Sequence, residues 1–146
     1  SLKQTIGGPP LRVLGATDTL RQYVDEVSSQ ADIIVVLSHL GFEEDQKLAN
    51  LFPDVDAIIG GKSGHLFDPP IRPRPDGPVV AQAGSLGERL GMVRLDFDAQ
   101  GHLVGWDGRL ILLTPEVPDD PTMAEFLHQY DSRLTPVAAA SPAAAE

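Results

Sequence analysis

The residues that could do chemistry in this 146-residue chain are four histidines, 21 carboxylates and few basic groups; there is no cysteine. Two of the histidines stand out by what precedes them. His39 lies in Ser38-His39-Leu40-Gly41, directly after an unbroken apolar run. His65 ends Gly60-Gly61-Lys62-Ser63-Gly64-His65, directly after a second one. Imidazole combined with carboxylate suits zinc, manganese or iron, and Glu43, Glu44, Asp45 and Asp68 lie near in sequence. A catalytic metal usually takes at least three protein ligands, so two histidines from two loops are a beginning. Glu43 and Glu44 equally suit the solvated first turn of a helix, where its dipole favours negative charge, and that is the reading adopted for them. Lys62 is a point charge suited to an anion, or a solvated surface group. It does not sit in a nucleotide P-loop. That pattern needs Gly at position 56, where Asp56 stands, and a helix afterwards, which Gly64 and Pro69-Pro70 oppose. Ser38 and His39 are not a catalytic dyad, because neighbouring strand residues point to opposite faces. His102 and His128 fall on a strand and a helix elsewhere and read as structural or surface residues.

Positioning His39 and His65 requires particular elements. Residues 32–37 read as a strand covered on both faces, as in a parallel sheet. Residues 43–52 read as a helix with Leu48, Leu51 and Phe52 inward, stopped by Pro53. Residues 55–59 read as a second strand. Two strands joined by a crossover helix run parallel when they share a sheet. Their carboxyl ends then share one edge, the edge where open α/β sheets place ligands. The His39 loop and the 60–65 loop should therefore meet.

Around this βαβ unit, residues 1–10 read as an irregular lead-in and 11–14 as a short strand. A helix capped by Thr17 or Asp18 runs to about residue 30, with Leu20, Val24 and Val27 as its stripe. The five prolines of 68–78 forbid a helix or central strand and give a stiff loop, inserted beside a site rather than serving as a proline-motif ligand. Residues 78–83 read as another strand, with Gly84, Gly87 and Gly91 after it for tight approach or positive φ. Strands over 92–97, 102–106 and 109–113, turning at 98–101 and at Asp107-Gly108, form an antiparallel meander. A last helix opens at Pro121 or Thr122 and runs to about 134, with Met123, Phe126, Leu127 and Tyr130 inward. The expected division is one domain over 1–134 and a low-complexity tail or linker over 135–146.

Composition narrows the partners. Hydrophobic residues make up 42% of the chain and charged ones 22%, the balance of a globular domain. A net charge of −10 without a basic run argues against nucleic acid and anionic membrane. A metal ion or small ligand is easier to reconcile with it. The absence of cysteine excludes disulfides, thiolate zinc sites and a thiol nucleophile. No stretch reads as a membrane span or signal peptide. The chain opens on Ser1 rather than Met, so residues upstream are expected.

"ADIIVVLSHLGFEED", "DVDAIIGGKSGHLFDPP", "PVVAQAGSLGERLGMVRLDFD" and "GHLVGWDGRLILLTPEVPDDP" together resemble the calcineurin-like metallophosphoesterases, nearest to the 5′-nucleotidase / 2′,3′-cyclic phosphodiesterase branch. The resemblance spans about residues 11–134. It implies an α/β fold that is half of a four-layer sandwich: a βαβ unit, an antiparallel meander and a terminal helix. It implies a two-metal site at strand carboxyl ends, where a bridging hydroxide attacks phosphorus. His39 and His65 would then be metal ligands, Lys62 would face the phosphate, and the cofactor would be divalent manganese, zinc or iron. Two departures are written in the sequence. The family's second loop reads Gly-His-x-His or Gly-His-x-Gln, whereas Lys62 and Gly64 hold those positions here and His65 comes one place late. The family's amino-terminal Asp-x-His, Gly-Asp and Gly-Asn-His motifs have no counterpart in residues 1–15. The expected function is the carboxyl-terminal part of a metal-dependent phosphoesterase acting on nucleotides or related phosphate esters, with a degenerate second ligand loop. The alternative is a non-catalytic binding or scaffold module. Expected partners are a nucleotide or phosphate-ester ligand and the missing amino-terminal half. Without that half, exposed apolar sheet faces favour self-association. Relatives of this kind are often exported, which favours an extracytoplasmic location.

Overall fold

A computed structural model describes residues 13–131 of the chain, in two compact units that divide between Leu113 and Thr114. In the first, α1 (Ala16–Val27) leads into β1 (Val35–Leu37), α2 (Phe42–Leu51), β2 (Ala57–Ile59) and β3 (Val79–Ala81), followed by β4 (Arg89–Phe97) and β5 (Leu103–Leu112). The second unit contains α3 (Pro121–Asp131). The lead-in at 1–10, the first half of the strand expected at 11–14 and the tail at 135–146 lie outside the described residues. Val13 and Leu14 are not in a strand.

β1, β2 and β3 form one parallel sheet in that order, with Val36, Ile58 and Val80 side by side in register. Those three residues share a face, because side chains alternate along a strand. On that face Ile58 and Val80 join Val24 of α1, Leu48 and Ala49 of α2, Phe52 and Val55 in the core, with Leu20, Ile34, Val36 and Ile71 packed around it. The stripe expected of α1 is thus turned inward. Of the three inward residues expected in α2, Leu48 and Phe52 are buried but Leu51 is 48% exposed. The residue that completes the inward stripe is Asp45, at i, i+3, i+4 and i+7 with Leu48, Ala49 and Phe52.

The other face of the sheet departs from expectation. Along the row Val35–Ala57–Val79, exposure falls from 50% to 2% to 0%. Along Leu37–Ile59–Ala81 it falls from 82% to 36% to 9%. The apolar run before His39 was expected to be covered on both faces, but β1 is an edge strand whose second face is open. The run is apolar as read, but Val35 and Leu37 stand exposed on that face.

The meander is simpler than expected. The strands expected at 102–106 and 109–113 merge into β5, which pairs antiparallel with β4 from Arg89↔Leu112 to Phe97↔Leu103. Asp107-Gly108 does not turn. Gly108 is needed for close approach, since a Cβ there would lie 2.6 Å from the Met92 carbonyl oxygen and 2.7 Å from Pro70 Cγ. The turn at 98–101 is as expected. Asp98 Oδ1 accepts hydrogen bonds from the Gln100 and His102 amides at 2.9 and 2.8 Å.

The proline-rich stretch does not flank the His39 loop. Ile71 bridges back to Val80, Leu110 N–H donates to Asp68 Oδ1 at 3.4 Å, and Arg74 Nη1 donates to the Asn50 carbonyl at 2.9 Å. Arg74 thus satisfies a carbonyl at the carboxyl end of α2, where a cation also suits the dipole. That is the end of the helix away from His39. Within α3 the side chains expected to be inward, Met123, Phe126, Leu127 and Tyr130, are exposed, with the Phe126 and Tyr130 rings 5.0 Å apart. Its expected last turn, to 134, lies outside the described residues.

Candidate site at the carboxyl edge of the parallel sheet

Because β1 and β2 are parallel, the loops that leave them emerge on the same edge, and they touch. The Lys62 ammonium reaches toward the Leu40 carbonyl at 3.5 Å, and Phe42 N–H donates to Ser63 Oγ at 3.2 Å. A Cβ on Gly61 would lie 3.2 Å from His39 Nδ1. The expected meeting of the His39 loop with the 60–65 loop is therefore what the chain does. Between them is a cleft of about 340 Å³ lined by Leu40, Phe42, Glu43, Glu44, Lys62 and His65, among others. Lys62 holds a left-handed backbone conformation, φ 68°, which a non-glycine residue adopts rarely.

The three candidate residues differ in surroundings. His39 lies against Gly61. Lys62 is exposed over the cleft. His65 packs its ring 4.7 Å from Phe42 and stacks 5.9 Å from Phe67, and Phe42 and Phe67 are 4.9 Å apart. The three rings form one aromatic cluster at the cleft. Glu43 and Glu44 lie in the first turn of α2, as read from the sequence, and Glu44 pairs with Lys47 at 2.6 Å. Asp68 accepts from the hairpin. His102 lies beside Asp98, its Nδ1 3.2 Å from Oδ2.

Beneath the loops lies a polar core that the sequence reading did not single out. Asp45 is fully buried and Gln82 nearly so. Ser38 Oγ donates a short hydrogen bond to Asp45 Oδ1, and Gln82 Nε2 donates to Asp45 Oδ2 at 3.1 Å. Ser63 Oγ donates to Gln82 Oε1 at 2.9 Å. The Leu40 amide donates to Ser38 Oγ at 3.2 Å. Gly60 is required here: a Cβ would lie 2.5 Å from Gln82 Nε2 and closer still to Asp45 Oδ2. Helical spacing held the signal for Asp45, a carboxylate on the apolar stripe of α2. Period-two spacing put Gln82 on the same side as Val80.

The fit to a metal centre is partial. Among the described residues no three His, Asp or Glu side chains gather closely enough to hold a metal ion. His39 can offer one imidazole; Lys62 brings a positive charge to the same edge. A larger depression, of about 830 Å³, lies at the opposite, amino end of the strands among Asp32, Asp54, Asp56, Arg72 and Asp76. It belongs to the strand starts and to the proline-rich loop.

No protein-family model matches the chain. Curated relatives do. Bovine 5′-nucleotidase is 30% identical over 133 residues, covering 79% of this chain and 23% of its own length. Human 5′-nucleotidase is 29% identical with the same coverage. An uncharacterized metallophosphoesterase of Bacillus subtilis is 36% identical over 92 residues, 60% of this chain and 18% of its own length. Among solved structures, the 5′-nucleotidase precursor of Thermus thermophilus superposes with a TM-score of 0.73 at 32% identity, over 90% of this chain and 29% of that one. A putative 5′-nucleotidase of Staphylococcus aureus shares the fold at a TM-score of 0.60 and 24% identity, covering 83% of this chain and 27% of that one. The chain spans about a quarter of the length of the curated relatives it matches first. In sequence and in fold, the chain is similar to one part of the 5′-nucleotidases and related metallophosphoesterases.

Proposed function

We propose that this chain is the carboxyl-terminal part of a metal-dependent phosphoesterase domain acting on nucleotides or related phosphate esters, with its second ligand loop degenerate. The observation that carries this is the junction of the His39 and Lys62 loops at the ligand-binding edge, in a chain whose relatives are named 5′-nucleotidases. In this reading His39 supplies one imidazole to a divalent manganese, zinc or iron ion, whose chemistry is Lewis-acid activation of the phosphate ester. Lys62 offers its ammonium to a phosphate oxygen. His65, assigned to a metal from the sequence, serves instead to pack the loop between Phe42 and Phe67. The ligand set is too small for the described residues to act alone, and the remainder comes from the amino-terminal half of the domain. That half would also cover the open face of β1, toward which exposure rises across the sheet. The domain then runs to about residue 134, with 135–146 as tail or linker. An extracytoplasmic location goes with this reading, since the Thermus relative is named a precursor.

A second reading is favoured by one observation, the presence of Lys62 where the family pattern has a histidine. An ammonium repels a metal ion and partly replaces its charge, which suits a non-catalytic binding module. Titrating manganese into the chain while following the ring signals of its histidines separates the two. Selective broadening of His39 and of the neighbouring Leu40 and Gly61 amides, the latter lost in His39→Ala, supports the phosphoesterase reading. Orthophosphate perturbing Lys62 with no manganese effect at His39 supports the binding module.

A further inference from the structure

We propose that Asp45 and Gln82 are positioning residues, a buried pair that locks the His39 loop to the Lys62 loop. The hydrogen bonds form one chain across four elements. It starts at the Leu40 amide and passes through Ser38 Oγ at the end of β1 to Asp45 in α2. From there it runs to Gln82 after β3, to Ser63 in the loop after β2, and back to the Phe42 amide at the start of α2. His39 lies between two members of this chain, Ser38 and Leu40; Lys62 immediately precedes a third. Neither candidate residue belongs to it, but each is covalently joined to a residue that does.

Donor and acceptor roles explain why these two residues hold the arrangement. Gln82 is the only member that must both donate and accept through one rigid group: its Nε2 gives to Asp45 and its Oε1 takes from Ser63. Asp45 accepts on both oxygens, from Ser38 on Oδ1 and from Gln82 on Oδ2, so it fixes which way the Gln82 amide faces. That orientation in turn leaves Ser63 Oγ a lone pair for the Phe42 amide. A buried carboxylate is costly unless fully hydrogen-bonded, so an arrangement that satisfies it is strongly preferred over alternatives. Gly60 allows the pair to sit directly beneath the β2 loop. That the two loops meet a ligand rests on the phosphoesterase reading; that Asp45 and Gln82 hold them together does not.

The test uses the full chain without ligand and reads backbone amide exchange residue by residue. Gln82→Glu sets two carboxylates against each other. It is expected to speed exchange at the Leu40 and Phe42 amides by roughly tenfold, the loss of a typical hydrogen bond. The amides of Val80 and Asp98, bonded to the Ile71 and His102 carbonyls, should keep their rates. Adding Asp45→Asn to Gln82→Glu moves the charge and reverses one hydrogen bond. The new amide at 45 donates to the new carboxylate at 82, which still accepts from Ser63, and Leu40 and Phe42 regain protection. Ser63→Ala, nearer the surface, should speed Phe42 alone and serves if the buried variants do not fold. The proposal is overturned if Leu40 and Phe42 are unchanged in Gln82→Glu. It is also overturned if all amides accelerate together, if the double variant fails to restore protection, or if Ser63→Ala leaves Phe42 unaffected. An orthophosphate titration of the wild type, following His39 and Lys62, tests the functional reading separately.

Discussion

At the scale of single residues, the site divides into groups that face the cleft and groups that hold them. Lys62 is the clearest of the first kind. Its left-handed backbone costs a non-glycine residue about 1–2 kcal/mol, and among the described residues its side chain reaches one acceptor, the Leu40 carbonyl, at 3.5 Å. Lys62→Gly removes that strain and the ammonium together, while adding chain entropy to the unfolded state. Its stability is expected to stay within about 1 kcal/mol of the wild type by denaturant melting, while any effect of orthophosphate on the neighbouring loop signals disappears. A large loss of stability would mean that Lys62 is structural. Asp45 and Ile58 are of the second kind. Ile58 is fully buried at the centre of the sheet, and Ile58→Ala should cost about 2–5 kcal/mol. His39 and Lys62 were legible in the sequence because they follow apolar runs. What the spacing of His65 does not tell is that its ring meets two phenylalanines, Phe42 and Phe67. Asp45 was read only as a carboxylate near the histidines; its place on the buried stripe of α2 would have needed the acids opening the helix to be set one by one around its axis.

At the scale of elements, parallel pairing decides everything about the site. Once α2 crosses from β1 to β2, both loops must emerge on one edge, and the Ser63–Phe42 and Lys62–Leu40 contacts follow. This much was readable from apolar runs and a proline stop. What was not readable was coverage. An apolar run looks alike whether its strand is covered, as β3 is, or open on one face, as β1 is, although both lie at an edge of the sheet. Gly108 taught the same lesson in β5: Asp-Gly is a turn signal, but here Pro70 packs where a Cβ would be. The 98–101 turn makes a prediction on pH. The amides of His102 and Gln100, with the His102 ring, hold the Asp98 carboxyl below the ordinary carboxylate range. A carboxyl depressed on folding contributes stability above its unfolded pKa, and that contribution is lost as pH falls through its folded value. Protection of the His102 amide should therefore weaken only in acid below the ordinary carboxylate range, and Asp98→Asn should show no such step. A step near neutral pH would assign the turn to His102 instead.

At the scale of the molecule, a sheet buried at β3 and open at β1 is a surface prepared for more polypeptide. Covering an exposed Leu or Val side chain fully contributes about 1.5–3 kcal/mol, and Val35, Leu37 and Ile33 all stand open at this edge. With these side chains open, the chain is expected to associate with itself, and Leu37→Lys to shift sedimentation toward monomer. A monodisperse wild-type monomer with a single cooperative melt would contradict that. The central claim is that this chain brings one imidazole and one ammonium, but not a complete two-metal set, to a phosphoesterase edge. The most direct test supplies manganese to the wild type and to His39→Ala, and measures bound metal together with hydrolysis of a nucleoside monophosphate. The expected result is manganese bound by the wild type, less or none bound by His39→Ala, and no hydrolysis by either. Two metal ions per chain with turnover that His39→Ala abolishes would contradict it.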